Sequence, residues 1–197
     1  MREKILTNAL NTIDYLHQYD SDYYRIRDVI NCVNENQFES KTWLVKHFLP
    51  HYNNGRILIQ GSWYGLLAML LDPLPVTCVD SDPKSDTIGW NLTKSFGNID
   101  FKVDDFIEHY LNHGKEFDCV INTSIEHIEQ EEIDFMLGLK PKNQIICFQS
   151  NNYFEVNSHI NCSESLEDFV ESLNLETILY KGEKDLGKYK RFLVIGK

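Results

Sequence analysis

Residues Arg56–Leu71, RILIQGSWYGLLAMLL, are the most informative part of this sequence for predicting its fold. A short apolar run is followed by a turn bounded by Gly61 and Gly65, and then by a second apolar run with helical spacing. Nucleotide-binding α/β domains begin in this way, because glycines allow a tight turn and the next helix presents free N–H groups to an anion. A plain strand-to-helix turn can have the same pattern. Trp63 and Tyr64 are unusual here, since nucleotide sites normally have small residues in the turn.

Strands and helices alternate from Arg56 onward. The predicted strands are Arg56–Gln60, Val76–Asp80, Ile99–Val103, Asp118–Asn122 and Gln144–Gln149. The predicted helices between them lie near Tyr64–Leu71, Ser85–Phe96, Phe106–Asn112 and Glu129–Leu139. Strands that are apolar along their whole length are buried on both faces, which predicts a doubly wound, mostly parallel sheet with helices on both faces. After a helix in SESLEDFVESL, two strand runs joined by a Gly- and Lys-rich connection predict an antiparallel C-terminal hairpin.

The N-terminal part has a helical pattern, which predicts a helical extension or cap over residues 1–52 and a main domain over 53–197. The first helix is expected to bury a stripe made of Ile5, Leu6, Ala9, Leu10, Ile13 and Leu16. A second helix is expected to begin at a Ser21–Asp22 cap, and a third to stop at Pro50.

Composition limits the classes of function. The chain has 197 residues, a net charge of −11 and a pI of about 5.0. Surfaces that bind nucleic acid need clustered Lys and Arg, so we expect no nucleic-acid partner, and we interpret the dense basic run KDLGKYKR as a solvated hairpin. No segment resembles a membrane span or a secretory signal, so we expect a cytoplasmic protein without a membrane partner. Five cysteines without a Cys-x-x-Cys pair fit a reducing compartment without structural zinc, and the oligomeric state is left open.

Acidic residues follow the second and third predicted strands, at the edge where open parallel sheets bind ligands. Asp80 lies 19 residues beyond Gly61, and nucleoside sites place an acid at about this distance to accept from ribose hydroxyls. Asp105 can accept from an exocyclic amine such as that of adenine, or it can cap the following helix. Asp82 can likewise act as a helix cap.

The fourth strand ends in INTSIEHI, where Glu126 and His127 form either an acid–base pair or a surface pair at a helix start. The fifth strand is followed by QSNNYFEVNSHINCSES, and long loops at this edge are often lids or substrate loops. Tyr153 and His159 of this loop are alternative catalytic groups. His109 and His113 have the i, i+4 spacing of a metal site, but no third ligand is evident, so we predict no metal.

Together these features resemble a class I S-adenosylmethionine-dependent methyltransferase over roughly Arg56–Lys197. FDCVINTSIEHI resembles the fourth motif of that family, and YKRFLVIGK looks like its antiparallel seventh strand. GSWYG and the loop QSNNYF…HINC are also similar to small stand-alone methyltransferase-like proteins of tailed bacteriophages. The resemblance implies a Rossmann-like seven-stranded sheet, S-adenosylmethionine as cofactor, and methyl transfer to a small-molecule or nucleotide-like acceptor.

The resemblance also implies roles for individual residues. The glycines of the turn would frame the methionine part of the cofactor, Asp80 would hold the ribose, and Asp105 with the Phe106 backbone would meet the adenine. Glu126 and His127 are the predicted catalytic pair. The full set of predicted cofactor-binding residues is Gly61, Ser62, Trp63, Gly65, Asp80, Asp105, Phe106 and Asn122.

Two positions of the turn depart from the family pattern. Ile59 replaces an acid, although the neighbouring Gln60 can supply a polar group, and Trp63 replaces a glycine. Trp63 or Tyr64 can instead pack on the acceptor or on the sulfonium, whose positive charge suits an aromatic face. In a protein that had lost its cofactor site, we would not expect Asp80, Asp105 and the polar loop after the fourth strand to stay together at the ligand-binding edge of the sheet. We therefore interpret the turn as altered but still able to bind the cofactor. The alternative is a catalytically inactive methyltransferase-fold protein that acts as a binding module. A nicotinamide-dependent oxidoreductase is disfavoured, because G-x-G-x-x-G is absent.

Overall fold

The secondary structure comes from a computed structural model that describes residues 1–19 and 23–197. The helices of these ranges are α1 Arg2–Tyr19, α2 Tyr23–Cys32, α3 Glu35–Phe48, α4 Leu66–Leu70, α5 Ser85–Thr93, α6 Phe106–His113, α7 Gln130–Leu139 and α8 Leu166–Leu173. The strands are β1 Ile57–Gln60, β2 Val76–Asp80, β3 Ile99–Val103, β4 Cys119–Asn122, β5 Ile145–Asn151, β6 Ile178–Asp185 and β7 Lys190–Gly196. The predicted Ser21–Asp22 helix cap lies outside the described residues.

The seven strands form one sheet in the order β3-β2-β1-β4-β5-β7-β6. Strands β1 to β5 pair in parallel, whereas β7 runs antiparallel to both β5 and β6. The predicted doubly wound sheet with an antiparallel C-terminal hairpin is therefore confirmed. The strand order reverses between β1 and β4, and open α/β sheets bind ligands at such a switch point.

Both faces of the sheet are covered, as the apolar strands predicted. Strand β1 shows this by its alternation, because Ile57 and Ile59 belong to one core and Leu58 belongs to the other. Helices α3 and α4 pack against the first face. Helices α6, α7 and α8 pack against the second.

A third core joins the N-terminal helices to α4, α5 and the turn after β1. Ile5, Ala9 and Leu16 of the predicted α1 stripe are buried. Leu6 and Leu10 are 38% and 65% exposed, so the predicted stripe is wrong at these two positions. The buried face of α1 includes polar Asn8 and Thr12 instead. The Asn8 side chain donates to the Leu92 carbonyl at 2.7 Å, which satisfies its amide inside the interface.

Two element boundaries differ from the prediction for local reasons. Helix α4 begins at Leu66 rather than at Tyr64, because Trp63 and Gly65 adopt left-handed φ values of 50° and 83°. Strand β5 continues to Asn151, because its last residue pairs with Arg191 of β7.

No helix in residues 1–19 and 23–197 has the length and apolar character of a membrane span.

Candidate functional site

A cavity of about 630 Å³ lies at the carboxyl ends of the parallel strands. Most of the predicted site residues line it, and they come from the loops after β1 to β4: Gly61, Ser62, Trp63, Asp80, Phe106, Asn122, Glu126 and His127. Gly65 and Asp105 do not line it. The fold thus brings together side chains that are far apart in the chain, at the switch point of the sheet.

Asp80 holds the unusual turn in place. Its Oδ2 accepts from the Trp63 backbone N–H at 2.7 Å, and its Oδ1 accepts from the Asp82 N–H at 3.0 Å. These bonds stabilise the left-handed backbone that Trp63 adopts where a glycine is usual. Because each carboxylate oxygen has more than one acceptor site, Asp80 can still accept from a ligand in the cavity.

The two aromatic residues of the turn have different surroundings. Trp63 packs beside the N-terminal helices and also lines the cavity. Tyr64 is fully buried, its hydroxyl accepts from Arg25 at 3.1 Å, and it does not line the cavity. The suggestion that Tyr64 packs on a sulfonium is therefore wrong, whereas the same suggestion for Trp63 stays a prediction.

Gln60 does not replace the missing acid inside the cavity. It is fully buried, and its Nε2 lies 3.3 Å from the sulfur of Met136. Met136 belongs to the core on the other face of the sheet from Ile59. Ile59, which stands at the position of the family's acid, does line the cavity. The first loop consequently offers backbone groups, Ser62 and Trp63 to a ligand.

Gly65 and Asp105 are placed in structural roles by the contacts around them. A Cβ on Gly65 would lie 2.8 Å from the Phe101 ring, so this glycine permits close packing of α4. Asp105 caps α6, since its Oδ1 accepts from the N–H groups of Ile107 and Glu108 at 2.9 and 3.0 Å. The predicted contacts of Gly65 and Asp105 with a cofactor stay predictions.

Glu126 belongs to a buried ionic network. Its Oε1 accepts from Arg191 Nη1 at 2.8 Å and from Asn151 Nδ2 at 2.6 Å. As whole residues, Glu126 and Arg191 are 3% and 5% exposed. The interpretation of KDLGKYKR as a solvated hairpin is therefore wrong for Arg191, whose position on β7 directs its side chain into the cavity. Asn122 lies beside this network and accepts from the Ser124 N–H at 2.8 Å.

His127 is oriented by a backbone group rather than by Glu126. Its Nδ1 lies 2.9 Å from the Ser158 carbonyl, and a carbonyl can only accept, so Nδ1 carries the proton of the neutral ring. His159, from the long loop after β5, lies beside it with the two ring centroids 4.7 Å apart. The loop predicted to contact substrate thus contributes His159 and Tyr153 to the cavity wall.

The N-terminal helices form another wall of the cavity, through Cys32, Gln37 and Lys41. Burial, together with the nearby positive charge of Arg191, lowers the pKa of Lys41 from 10.5 to about 8. The ammonium donates to Gln37 at 2.6 Å. No feature of the sequence distinguished Lys41, since a lysine in an amphipathic helix is usually solvated.

The histidine pair that sequence spacing suggested as a metal site lies elsewhere, beside β3 and α6. His109 Nδ1 is 3.1 Å from Asp104, and His113 Nδ1 is 3.0 Å from Glu116. Both imidazoles therefore pair with carboxylates outside the cavity at the strand ends.

No protein-family model and no curated protein sequence matches the chain. Solved structures do match it. The N-methyltransferase NodS from Bradyrhizobium japonicum WM9, in complex with S-adenosyl-l-homocysteine, has a TM-score of 0.66 at 18% identity, with 94% of this chain and 97% of that chain covered. Magnesium protoporphyrin IX methyltransferase from Synechocystis PCC 6803, with bound SAM, has a TM-score of 0.65 at 16% identity and coverages of 96% and 97%.

The PH0226 protein from Pyrococcus horikoshii OT3 is a third similar structure, with a TM-score of 0.60, 20% identity, and coverage of 88% of this chain and 97% of that one. At these identities the likeness shows the fold. The chain has the Rossmann-like fold of class I S-adenosylmethionine-dependent methyltransferases, as its sequence predicted.

Proposed function

We propose that this protein transfers the methyl group of S-adenosylmethionine to a small-molecule acceptor. The observation that carries the proposal is Asp80. It lies at the carboxyl end of β2, braces the turn after β1 through the Trp63 N–H, and faces the switch-point cavity. A carboxylate in this position suits ribose hydroxyls, and the adjoining turn suits the rest of a nucleoside cofactor.

Two similar structures support the choice of cofactor. NodS was crystallised with S-adenosyl-l-homocysteine, and the magnesium protoporphyrin IX methyltransferase with SAM. Asp80 retains free acceptor capacity, and the cavity is large enough for a cofactor-sized ligand. Cofactor contacts from Ser62, Trp63, Phe106 and Asn122 fit their positions on the cavity wall.

We expect the acceptor to lie against the part of the cavity wall that Glu126, His127 and the loop after β5 form. Lys41 and Gln37 of the N-terminal helices line the same cavity. The methyl group of a sulfonium is already activated, so the protein's main task is to align the acceptor with it. An acceptor that must lose a proton would meet titratable groups on this wall.

Calorimetry with S-adenosyl-l-homocysteine tests cofactor binding directly. We expect saturable binding with one ligand per chain, together with a rise in the unfolding temperature. Absence of both effects at millimolar ligand would defeat the proposal and favour the binding-module alternative. Release of S-adenosyl-l-homocysteine from S-adenosylmethionine in the presence of candidate small molecules would then identify the acceptor.

A further inference from the structure

Three potential metal ligands converge in the cavity. Glu126, His127 and His159 each offer one ligand atom, and these atoms all lie within 4.8 Å of one another. All three residues line the cavity at the strand ends. Within residues 1–19 and 23–197, no other group of three histidine, cysteine or acidic side chains meets this criterion.

The backbone fixes the relative positions of the three residues. The Glu126 carbonyl accepts from the N–H groups of Ile160 and Asn161 at 2.9 and 3.1 Å. These bonds attach the segment that carries His159 to the turn that carries Glu126 and His127. The cluster is therefore built by a cross-link between two loops.

In both imidazoles a backbone carbonyl fixes one ring nitrogen, which leaves the other available to a metal ion. His127 Nδ1 lies 2.9 Å from the Ser158 carbonyl, and His159 Nδ1 lies 2.8 Å from the Tyr153 carbonyl. Each Nδ1 must donate to its carbonyl, which leaves the lone pair of the neutral ring on Nε2. Metal-binding histidines commonly have this arrangement, because a backbone acceptor fixes the tautomer and the ring orientation.

Glu126 provides an independent indication of a ligand. Its Oε1 receives hydrogen bonds from Arg191 and Asn151, but its Oε2 is buried and has no hydrogen-bond partner. The Glu126 side chain is 4% exposed. A buried carboxylate oxygen without a partner is unfavourable, unless a ligand completes the site.

We propose that Glu126, His127 and His159 bind one divalent first-row transition-metal ion. Two imidazole nitrogens and one carboxylate oxygen suit Zn²⁺, Fe²⁺ and similar ions, whereas Mg²⁺ and Ca²⁺ prefer oxygen ligands. With bonds of about 2.0–2.2 Å, ligand atoms on one ion lie about 3.0–3.5 Å apart. The longest separation, at most 4.8 Å, therefore needs to shorten by up to about 1.3–1.8 Å, which rotation of the side chains can supply.

Such an ion would retain coordination positions that face the cavity. Three protein ligands leave room for water or for an oxygen atom of another molecule. Resting on the proposed function, we infer that an acceptor with a hydroxyl or carboxylate oxygen completes the coordination. His127 would then act as a metal ligand and not as a general base, because its Nε2 lone pair is used in binding the ion.

Direct metal titration tests the inference. The chelator-treated, dialysed full chain is titrated with Zn²⁺ by calorimetry and with Co²⁺ by visible absorption. We expect one ion per chain, with loss of at least about 100-fold in affinity for His127→Ala and for His159→Ala. His113→Ala is the matched control and should bind like the unmodified chain, and Cys162→Ser should exclude the nearby thiol as a ligand.

Two results would overturn the metal site: no saturable binding of either ion, or binding that His127→Ala and His159→Ala leave unchanged. Thermal unfolding of each variant checks that it is folded, and His159→Gln provides a second variant with a smaller loss of volume. Titration of the same samples with S-adenosyl-l-homocysteine separates the two proposals. Metal binding without cofactor binding defeats the proposed function alone, and cofactor binding without metal binding defeats this inference alone.

Discussion

Arg191 on β7 donates to Glu126 after β4 across 2.8 Å, and the two side chains are 6% and 4% exposed. This buried ion pair joins the antiparallel hairpin to the loop that carries the predicted catalytic pair. Asn151 at the end of β5 donates to the same carboxylate oxygen, so three neighbouring strands contribute to one network. The pair fixes Glu126 Oε1 and leaves Oε2 as the unpartnered oxygen.

Removal of either partner of this pair should destabilise the protein strongly. Arg191→Met and Glu126→Met each leave a buried charge without its partner, and we expect each to lower the free energy of unfolding by about 3–5 kcal/mol. The double variant should lose less than the sum of the two, because neither charge is then left alone. Urea denaturation of the four proteins measures this, and strictly additive losses would show that the pair contributes no coupling.

Asp80→Asn should weaken the binding of S-adenosyl-l-homocysteine by about 10- to 150-fold. The loss corresponds to roughly 1.5–3 kcal/mol, as expected when charge-assisted hydrogen bonds are removed. Asparagine keeps one oxygen for the Trp63 or Asp82 N–H, so the turn should stay folded. Asp100→Asn, at an exposed carboxylate near the start of β3, is the control. Equal affinities in all three proteins, measured by calorimetry, would contradict the ribose role of Asp80.

The two glycines of the turn should respond differently to alanine. Gly61 and Gly65 have φ values of +59° and +83°, so each substitution incurs a left-handed penalty of about 1–2 kcal/mol. Only Gly65→Ala also brings a Cβ to 2.8 Å from the Phe101 ring, whereas the nearest atom to a Cβ on Gly61 lies 3.8 Å away. Gly65→Ala should therefore unfold at a lower urea concentration than Gly61→Ala, and the opposite order would contradict this account of the turn.

Lys41→Met should stabilise the protein by about 1–3 kcal/mol near pH 7. Burial lowers the pKa of Lys41 from 10.5 to about 8, so the folded state binds the lysine proton less tightly than the unfolded state does. The unfolded chain binds more protons between these two values, and the stability of the unmodified protein therefore rises with pH across that window. The advantage of methionine is full below pH 8 and shrinks towards pH 10.5.

Urea denaturation at about pH 7 and about pH 9.5 measures the effect of Lys41→Met. Lys46→Met is the control, since Lys46 lies on the same helix with its side chain exposed. A gain for Lys41→Met that is equal at both pH values would contradict the depressed pKa.

Removal of metal should distinguish the two roles considered for His127. If His127 is a metal ligand, a chelator should abolish methyl transfer by the unmodified protein, and added Zn²⁺ or Co²⁺ should restore it. If His127 is a general base, the chelator should have no effect, while His127→Ala should lower turnover by about 10²–10⁴-fold. Initial rates of S-adenosyl-l-homocysteine release measure both cases, once an acceptor is known.

Local patterns in the sequence were enough to predict the fold. Continuous apolar strands separated by helical stretches imply a parallel sheet buried on both faces, and two terminal strand runs imply a hairpin, because these patterns reflect local geometry and burial. The same local logic placed Asp80, Asn122, Glu126 and His127 at the carboxyl ends of strands, where a parallel sheet gathers its ligand-binding groups.

The distant side chains that complete the site could not be predicted from local patterns, because packing between elements brings them there. Arg191 and Lys41 read as solvated cations in the sequence, since hairpins and amphipathic helices normally expose them. The antiparallel register that pairs Arg191 with Asn151, and the docking of α3 beside the sheet, direct both towards the cavity. His159 joins Glu126 and His127 only because loop hydrogen bonds bring its segment back to β4. Sequence periodicity records which face of an element is buried, but a site is defined by distances between elements, and packing sets these.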